Sequence, residues 1–313
     1  MSPTKSTTES VGVAIGIDAG ASHTEGILVD ANGGEIARSH GAGANLRVDT
    51  LEAVGLSLAS VLAPLLERGE VRAICIGAAG AGGETQVDTL RGIVAPLIPS
   101  NVTLTIVHDG RIALEASTPY RPAMVVIAGT GSLVYGESRD GTPSRAGGKG
   151  ARVGDPGSGY AIARSALEHT SAALDGLERK QDLATFIAHA FDARSAVDID
   201  ERLRNAHERV AEISTAAIHV GAAYDSGDQA ARSIVEQHGS ALGELANRVA
   251  AEVREGDRPL PVALTGGVFE VVPALADVIR ATLLARGPCD ISLLSVSPAL
   301  GAAHLALESI RYE

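Results

Sequence analysis

The first half of the chain alternates short apolar runs with turns and helical patterns. The apolar run 11–18 predicts a strand that ends in the carboxylate of Asp18, and residues 26–30 predict a second strand. Asn32-Gly33 favours a tight hairpin turn, so residues 35–39 are expected to return as a third, antiparallel strand. The elements predicted after these are a helix over 51–66, a strand over 71–76, a helix over 85–97 and a strand over 102–107. This order predicts a mixed sheet with flanking helices.

The second half of the chain repeats the same order of elements. The predicted strands are 124–128, 133–137 and 143–146, and a glycine-rich stretch over 147–159 follows them. A long helical region then extends from about Tyr160 to Val253 and includes one apolar helical face. The residues of that face are Ile234, Ala241, Leu242, Leu245, Val249 and Val253. The last predicted elements are a strand over 262–265, a strand near Ile291 and a helix from Pro298.

The repeated order predicts two domains in a chain of 313 residues. We place the boundary at a hinge near residues 120–122, with an N-terminal domain over 11–120 that residues 298–313 complete. The C-terminal domain covers 121–297 and contains the helical insertion. Residues 1–10 are polar and are predicted to be a disordered N-terminus. The predicted fold class is therefore α/β, with two mixed sheets.

Charge and composition argue against several classes of partner. The formal net charge is −12, from 26 basic and 38 acidic residues, which argues against a nucleic acid or an anionic membrane as partner. No run approaches the roughly 18 apolar residues of a membrane helix, and the N-terminus lacks a signal-peptide core. We therefore expect a soluble, cytoplasmic protein. Cys75 and Cys289 are the only cysteines, and their spacing suits neither zinc nor an iron–sulfur cluster.

Two glycine-containing turns after predicted strands carry the candidate chemistry. Residues 129–132, Gly-Thr-Gly-Ser, offer exposed amides and two hydroxyls, which is the outline of a phosphate cradle. A plain hairpin turn is the alternative, because glycine is the default turn residue. A second turn of this kind, with Gly20, Ser22 and Thr24, follows Asp18 near the start of the chain. The two copies suggest two related lobes that hold one polyphosphate.

Five motifs in a fixed order give the chain a resemblance to a known superfamily. They are Gly16-Ile-Asp18-Ala-Gly-Ala-Ser22-His-Thr24, His108-Asp109, Ala128-Gly-Thr-Gly-Ser132, Gly154-Asp-Pro-Gly-Ser158, and Leu264-Thr-Gly-Gly-Val268 with Pro298-Ala-Leu-Gly301-Ala. Over residues 16–303 the chain resembles the sugar kinase, heat-shock chaperone and actin superfamily. It looks most like the branch of the N-acetylglucosamine kinases and the BadF/BadG/BcrA/BcrD ATPases. This resemblance implies two actin-like (ribonuclease H-like) lobes around a central cleft, with ATP and Mg²⁺ as cofactors.

The resemblance also implies roles for individual residues in phosphoryl transfer. Asp109 would be the general base that accepts the proton of the sugar hydroxyl, or it caps the following helix. Asp18 would hold a hydrated Mg²⁺, or it caps a turn. The residues implied in phosphate binding are Gly20, Ser22, Thr24, Gly129, Thr130, Gly131 and Ser132. Gly266 and Gly267 would let the backbone approach the purine, or they only start a helix. His108 is expected to be a structural histidine.

A further set of residues is implied in binding the acceptor sugar. These residues are Asn45, Asp109, Thr130, Gly148, Lys149 and Asp155. Asp155 followed by Pro156 is also the expected start of a helix, as an N-cap residue before a proline. His23, Pro156 and Lys149 depart from the residues that are common in the family. Lys149 with Arg152 would favour a carboxylate-bearing sugar such as N-acetylmuramate, or both are solvated loop charges.

Together these features predict an ATP-dependent amino-sugar kinase. The expected acceptor is N-acetylglucosamine or glucosamine, and the expected site of transfer is the C6 hydroxyl. A partner-activating ATPase of the BadF type is one alternative, although such activators hold an iron–sulfur cluster between subunits on cysteines, and this chain lacks a suitable pair. A sugar sensor without catalysis is another alternative. Related repressors carry an N-terminal helix-turn-helix domain, whereas here about ten polar residues precede the first predicted strand. Many relatives are dimers, which makes a homodimer an expectation by analogy.

Overall fold

The computed structural model describes residues 13–150, 153–179, 181–204 and 209–311. The predicted disordered segment 1–10 lies outside these residues, and so does Arg152. The chain divides into two compact units. The first unit consists of the residues up to Ser117 together with those from Val296 onward, and the second unit is Thr118–Ser295.

The first unit is built on a five-stranded mixed sheet. Its elements are β1 (Val13–Ala19), β2 (His23–Val29), β3 (Glu35–Ala42), α1 (Leu51–Leu66), β4 (Val71–Ala78), α2 (Glu84–Val94), β5 (Thr103–His108), α3 (Asp109–Ser117) and the C-terminal helix (Pro298–Arg311). The strand order is β3-β2-β1-β4-β5. β2 pairs antiparallel with both β1 and β3, whereas β1, β4 and β5 run parallel. The mixed sheet predicted from the sequence is therefore confirmed.

Local sequence features account for the limits of two helices in this unit. α1 begins after Thr50, whose hydroxyl accepts a hydrogen bond from a backbone N–H in the first turn. The helix predicted over 85–97 ends as an α-helix at Val94, and a short 3₁₀ turn, Ala95–Leu97, follows it. Pro96 lies in that turn and has no N–H to continue the α-helical hydrogen bonds.

The C-terminal helix packs directly on the first strand. A Cβ on Gly16 of β1 would lie 2.1 Å from the oxygen of Ala299 and 2.1 Å from the nitrogen of Ala303. Gly301 of the same helix meets α3 as closely, because a Cβ there would lie 2.1 Å from the oxygen of Ile112. Only glycine fits these two contacts without a shift of backbone. The C-terminal helix thereby holds β1 and α3 at a short, fixed distance.

The second unit has a mixed sheet of the same kind. Its elements are β6 (Ala123–Ala128), β7 (Ser132–Glu137), β8 (Pro143–Gly147), α4 (Gly159–Leu174), α5 (Asp182–Ala190), α6 (Ala196–Arg204), α7 (Val210–Ser214), α8 (Ala217–Asp225), α9 (Gln229–Val253), β9 (Leu260–Thr265), α10 (Val268–Val271), α11 (Ala274–Leu284) and β10 (Cys289–Leu293). The strand order is β10-β9-β6-β7-β8. β7 is antiparallel to both β6 and β8, and β6, β9 and β10 are parallel. The α/β class with two mixed sheets is confirmed.

The predicted helical region of the second unit corresponds to helices α4 to α9. The longest, α9, buries Ile234, Leu242, Val249 and Val253 of the predicted apolar face. Ala241 was predicted on the same face and is exposed. One residue corresponds to a rotation of about 100° around a helix, so Ala241 points away from the face that contains Leu242. Within the described residues, no helix has the length and apolar composition that crossing a bilayer requires.

Candidate functional site

The candidate carboxylates of the first unit gather at one edge of its sheet. β1, β4 and β5 are parallel neighbours, and Ala19, Ala78 and His108 align at their carboxyl ends. Asp18 stands at this end of β1, and Asp109 directly follows β5. Because neighbouring strands lie about 4.8 Å apart, the two aspartates originate from strands about 10 Å apart. This edge therefore brings the predicted metal ligand and the predicted base into one region of the first unit.

Asp18 lies in surroundings that disfavour its negative charge. Burial, the charge of Asp109 and the charge of Glu25 raise the pKa of Asp18 to about 7. Glu25 lies directly opposite Asp18 in the pairing of β1 with β2. Its carboxylate pairs with Arg38 and accepts the hydroxyl hydrogen of Ser297. From the sequence we did not expect Glu25 at this site, because its two partners, Arg38 and Ser297, are distant from it in the sequence.

The carboxylates of Asp18, Glu25 and Asp109 provide a negatively charged environment that suits a divalent cation. A cation beside Asp18 would offset the repulsion among the three negative groups. Within the described residues, no cluster of three or more histidine, cysteine, aspartate or glutamate side chains has the geometry of a metal site. Mg²⁺ sites in proteins commonly use one or two carboxylates together with water and phosphate oxygens, so a single carboxylate such as Asp18 is compatible with that ion.

Asp109 is the first residue of α3, and its side chain is 25% exposed. Its Oδ1 accepts the N–H of Gly110 at 2.8 Å, and Nδ1 of His108 lies 2.6 Å from the same oxygen. Gly77 of β4 lets the helix approach, because a Cβ there would lie 2.3 Å from Ile112. From the sequence we expected a structural role for His108 in preference to a partnership with Asp109, and in the structure the two side chains are in contact.

The turn after β1 is held in place by the segment that follows β3. The N–H of Ala44 donates to the oxygen of Gly20 at 3.0 Å, and Ser22 is exposed in the same turn. Thr24 differs, because it is fully buried and its hydroxyl donates to the oxygen of Ala42 at 2.7 Å. The hydroxyl of Thr24 thus connects β2 to the end of β3, and the phosphate contact of Thr24 stays a prediction.

Asn45 lies in the turn before α1, beside the carboxyl end of β4. Its Oδ1 accepts the N–H of Arg47 at 3.0 Å and would lie 3.1 Å from a Cβ on Gly80. Asp49 fixes the same turn by accepting the N–H of Asn45 at 2.9 Å. The side chain of Asn45 can therefore offer its NH₂ group and the second lone pair of its oxygen to a ligand.

The second unit places two glycine turns side by side. β6 and β9 are parallel neighbours, and the turns 129–131 and 266–267 follow their carboxyl ends. Gly266 has a φ of 114°, and a Cβ there would lie 2.3 Å from the oxygen of Ala128. Among the described residues, only chain neighbours lie within 4 Å of a Cβ built on Gly129 or on Gly267. Gly267 is exposed and therefore presents accessible backbone to a ligand. At Gly129 the N–H donates to the oxygen of Gly131 at 2.9 Å and the oxygen accepts the N–H of Gly159 at 2.8 Å, so this glycine leaves space beside the backbone while its own polar groups are in use.

Asp155 organises the glycine-rich loop, residues 147–158, of which 151 and 152 lie outside the described residues. Its carboxylate is 4% exposed and accepts the N–H of Lys149 at 2.9 Å and that of Gly150 at 3.1 Å. The same carboxylate approaches the neighbouring turn, because a Cβ on Gly131 would lie 3.0 Å from its Oδ2. Lys149 itself is exposed. Asp155 therefore joins the loop to the 129–131 turn.

Three further contacts correct or refine the expectations for this loop. The predicted N-cap role of Asp155 is wrong, because α4 begins at Gly159 and Ser158 accepts a hydrogen bond from its first turn. The phosphate contact of Ser132 stays a prediction, and its hydroxyl has a protein partner in the structure. Ser132 is 3% exposed, and its hydroxyl donates to the oxygen of Pro156 at 2.7 Å. Gly148 donates its N–H to the oxygen of Ser132 at 2.9 Å.

Several known proteins are similar to this chain over most of its length. An N-acetyl-D-glucosamine kinase of Dictyostelium discoideum is 27% identical over 317 residues, which cover 95% of this chain and 98% of that protein. An N-acetylmuramic acid/N-acetylglucosamine kinase of Clostridium acetobutylicum is 28% identical over 239 residues, covering 76% and 78%. A Chromobacterium violaceum protein, provisionally named an N-acetylglucosamine kinase, has the same fold. Its TM-score is 0.75 at 22% identity, with 95% of this chain and 99% of that chain covered.

A family model also matches the chain, over residues 15–306. The matched region begins within β1 and ends within the C-terminal helix, so it includes both sheets and all five sequence motifs. The chain therefore belongs to the BadF/BadG/BcrA/BcrD ATPase family.

Proposed function

We propose that the protein is an ATP- and Mg²⁺-dependent amino-sugar kinase, which transfers the γ-phosphate to the C6 hydroxyl of N-acetylglucosamine or glucosamine. The observation that carries this proposal is the pair of carboxylates, Asp18 and Asp109, at one edge of the first sheet. Sugar phosphorylation needs one group that holds the metal and another that receives the hydroxyl proton. Relatives named as N-acetylglucosamine kinases support the choice of acceptor.

Asp109 is the proposed general base, and Asp18 is the proposed metal ligand. The carboxylate of Asp109 would accept the proton as the sugar oxygen attacks the γ-phosphate. Asp18 would hold Mg²⁺ directly or through water. When bound, Mg²⁺ neutralises phosphate oxygens. Asp18 and Glu25 bring the negative charge that attracts the cation, and Arg38 and Ser297 keep Glu25 in place.

Backbone groups would bind most of the nucleotide. The proposed phosphate-binding residues are Gly20, Ser22, Gly129, Thr130 and Gly131, and the proposed purine-binding residues are Gly266 and Gly267. Backbone N–H groups in such turns bind anions without a basic side chain, which suits a chain with a net charge of −12. The N–H groups of Gly20 and Gly129 donate within their own turns, to His23 and Gly131, so these two glycines would only let a phosphate approach the backbone closely. Thr24 and Ser132 support these turns through their buried hydroxyls.

The acceptor sugar would be bound by Asn45, Asp109, Thr130, Gly148, Lys149 and Asp155. Asn45 would donate from its side-chain NH₂, and its oxygen, which accepts the N–H of Arg47, would keep the side chain oriented. Asp155 is already oriented by two backbone N–H groups, and a carboxylate has about four acceptor positions, so it can also accept a sugar hydroxyl. Such directional bonds discriminate between hydroxyl stereoisomers.

N-acetylmuramate is the second candidate acceptor. The exposed cation of Lys149 stands on the glycine-rich loop and could pair with the lactyl carboxylate that distinguishes this sugar from N-acetylglucosamine. The Clostridium acetobutylicum relative is named for both sugars. We further propose that the protein is a cytoplasmic homodimer and that it has no nucleic-acid partner.

ADP release with a panel of sugars tests the proposal. The assay contains ATP and Mg²⁺ with glucosamine, N-acetylglucosamine, N-acetylmuramate, N-acetylmannosamine or glucose, and one control without sugar. ADP formation that depends on one or two amino sugars is expected and identifies the acceptor. Equal rates in every reaction, including the control, would contradict the kinase proposal and indicate an ATPase that drives a partner protein.

Gly267 and Gly266 provide a matched pair of substitutions for the purine site. Gly267→Ala should leave the melting temperature unchanged, because Gly267 has a φ of −62° and open space at Cβ. It should raise the KM for ATP about tenfold, because the methyl group would occupy the proposed position of the purine. Gly266→Ala should instead destabilise the fold by about 2 kcal/mol or more, through its φ of 114° and its contact with Ala128. An unchanged KM for ATP in Gly267→Ala would contradict the purine assignment.

A further inference from the structure

His238 is a buried polar residue on the apolar face of the longest helix. It lies one turn from Ile234 and one turn from Leu242 in α9, and both of these neighbours are buried. The histidine itself is 9% exposed. A polar ring in such a position costs stability unless its nitrogens are hydrogen-bonded. The contacts of this ring therefore indicate why a histidine stands there.

Both ring nitrogens of His238 have partners, and the partners lie far away in the chain. Nδ1 accepts the N–H of Gly157 at 3.4 Å, and Nε2 lies 3.0 Å from the hydroxyl oxygen of Ser165 in α4. A backbone N–H can only donate, so Nδ1 is unprotonated and the ring proton is on Nε2. Burial lowers the pKa of His238 to about 4, which keeps the ring in this neutral form at pH 7.

The residue that His238 holds belongs to the glycine-rich loop. Gly157 has a φ of 77°, and a Cβ there would lie 2.6 Å from Leu242. The loop backbone therefore rests directly on the turn of α9 between His238 and Leu242. Two residues earlier, Asp155 holds the backbone of Lys149 and Gly150. A displacement of Gly157 would thus reach Asp155 through a single intervening residue.

We propose that His238 is a positioning residue for the acceptor sugar, which acts by fixing Gly157 and, through it, the carboxylate of Asp155. This inference rests on the proposed function, because it takes the glycine-rich loop to be part of the acceptor site. His238 touches neither sugar nor nucleotide in this account. Its loss should therefore weaken sugar binding while the phosphoryl-transfer step keeps its rate at saturating sugar.

Two substitutions separate the two contacts of the ring. In His238→Asn the amide oxygen can occupy the position of Nδ1, so an acceptor for the N–H of Gly157 remains. In His238→Gln the amide extends toward the position of Nε2, so the contact with Ser165 remains and that with Gly157 is lost. The control variant Ser165→Ala removes the other partner. The measurements are the KM for sugar, the KM for ATP, kcat and the melting temperature.

His238→Gln is expected to raise the KM for sugar about fivefold to tenfold, in line with the loss of one hydrogen bond. Its kcat and its KM for ATP should stay within about twofold of the wild type. His238→Asn and Ser165→Ala should keep a nearly normal KM for sugar. If all three variants lower the melting temperature and leave the KM for sugar unchanged, the role of His238 is only structural and the inference is overturned.

The same experiment separates this inference from the proposed function. If the wild-type protein releases ADP without dependence on any sugar, the kinase proposal fails and the inference fails with it. If the wild type phosphorylates a sugar and the asparagine and glutamine variants behave alike, the inference alone is overturned. Calorimetric titration of the wild type and of His238→Gln with that sugar gives the affinity directly, and a fivefold to tenfold weaker affinity supports the inference.

Discussion

Asp109→Asn is expected to lower kcat by about 10³-fold, because a carboxamide cannot accept the proton of the sugar hydroxyl. The substitution preserves the local structure. The amide oxygen can still accept the N–H of Gly110, which donates to Oδ1 at 2.8 Å in the wild type. The loss should therefore come from basicity and not from folding. Coupled ADP release measures the rate, and calorimetric titration measures the binding of sugar and ATP, each of which should stay within about threefold of the wild-type value.

A matched substitution at a surface carboxylate serves as control. Asp88 is exposed on α2 of the same unit, so Asp88→Asn removes one negative charge without touching the candidate site. It should leave kcat and both KM values unchanged. Turnover by Asp109→Asn at a rate within tenfold of the wild type would contradict the assignment of the base. Loss of sugar binding in that variant would instead make Asp109 mainly a sugar ligand.

The sheets and the positions of the main motifs were predictable because their signals are local. An apolar run followed by a glycine turn depends on a few consecutive residues, so the strands that end at Asp18 and His108 could be read directly from the chain. Both strands run parallel to β4, which lies between them, and parallel pairing follows from the helices that connect the strands. It brings Asp18 and Asp109 to one edge.

The side-chain contacts that the sequence did not reveal are those whose partners lie elsewhere in the chain. Thr24 and Ser132 stand in glycine-containing motifs and have the expected hydroxyls, and both hydroxyls donate to backbone carbonyl groups of other segments. Asp155 precedes a proline as an N-cap would, but Ser158 competes for that role and lies next to the helix. The sequence did not indicate a role for Glu25 or His238, because the partners of each are distant from it in the sequence.

Asp18→Asn is expected to abolish the Mg²⁺-dependent reaction and, at the same time, to stabilise the metal-free protein at pH 8. The pKa of Asp18 rises from its ordinary value of 3.8 to about 7 in the folded protein, through burial and through Asp109 and Glu25. That rise corresponds to about 4 kcal/mol of unfavourable free energy for the ionised form. Asparagine has no charge to bury, so the variant avoids this cost.

The sign of the pH dependence follows from the same values. A carboxylate with a raised pKa in the folded state stabilises the fold below about pH 4, and this contribution is lost as the pH rises through about 7. The melting temperature of the metal-free wild type should therefore fall, relative to that of Asp18→Asn, between about pH 4 and pH 7. Above that range the difference should stay constant. The surface variant Asp88→Asn should follow the wild-type curve throughout.

Mg²⁺ adds a measurement that does not depend on turnover. With ADP present at pH 8, added Mg²⁺ should raise the melting temperature of the wild type more than that of Asp18→Asn, because binding to the folded state alone is stabilising. Parallel pH curves for the two proteins would contradict the electrostatic description of Asp18. An equal rise in the melting temperature of both proteins on addition of Mg²⁺ would contradict the assignment of Asp18 as a metal ligand. A rise confined to the wild type would show that the carboxylate that destabilises the metal-free fold is the one that binds the metal.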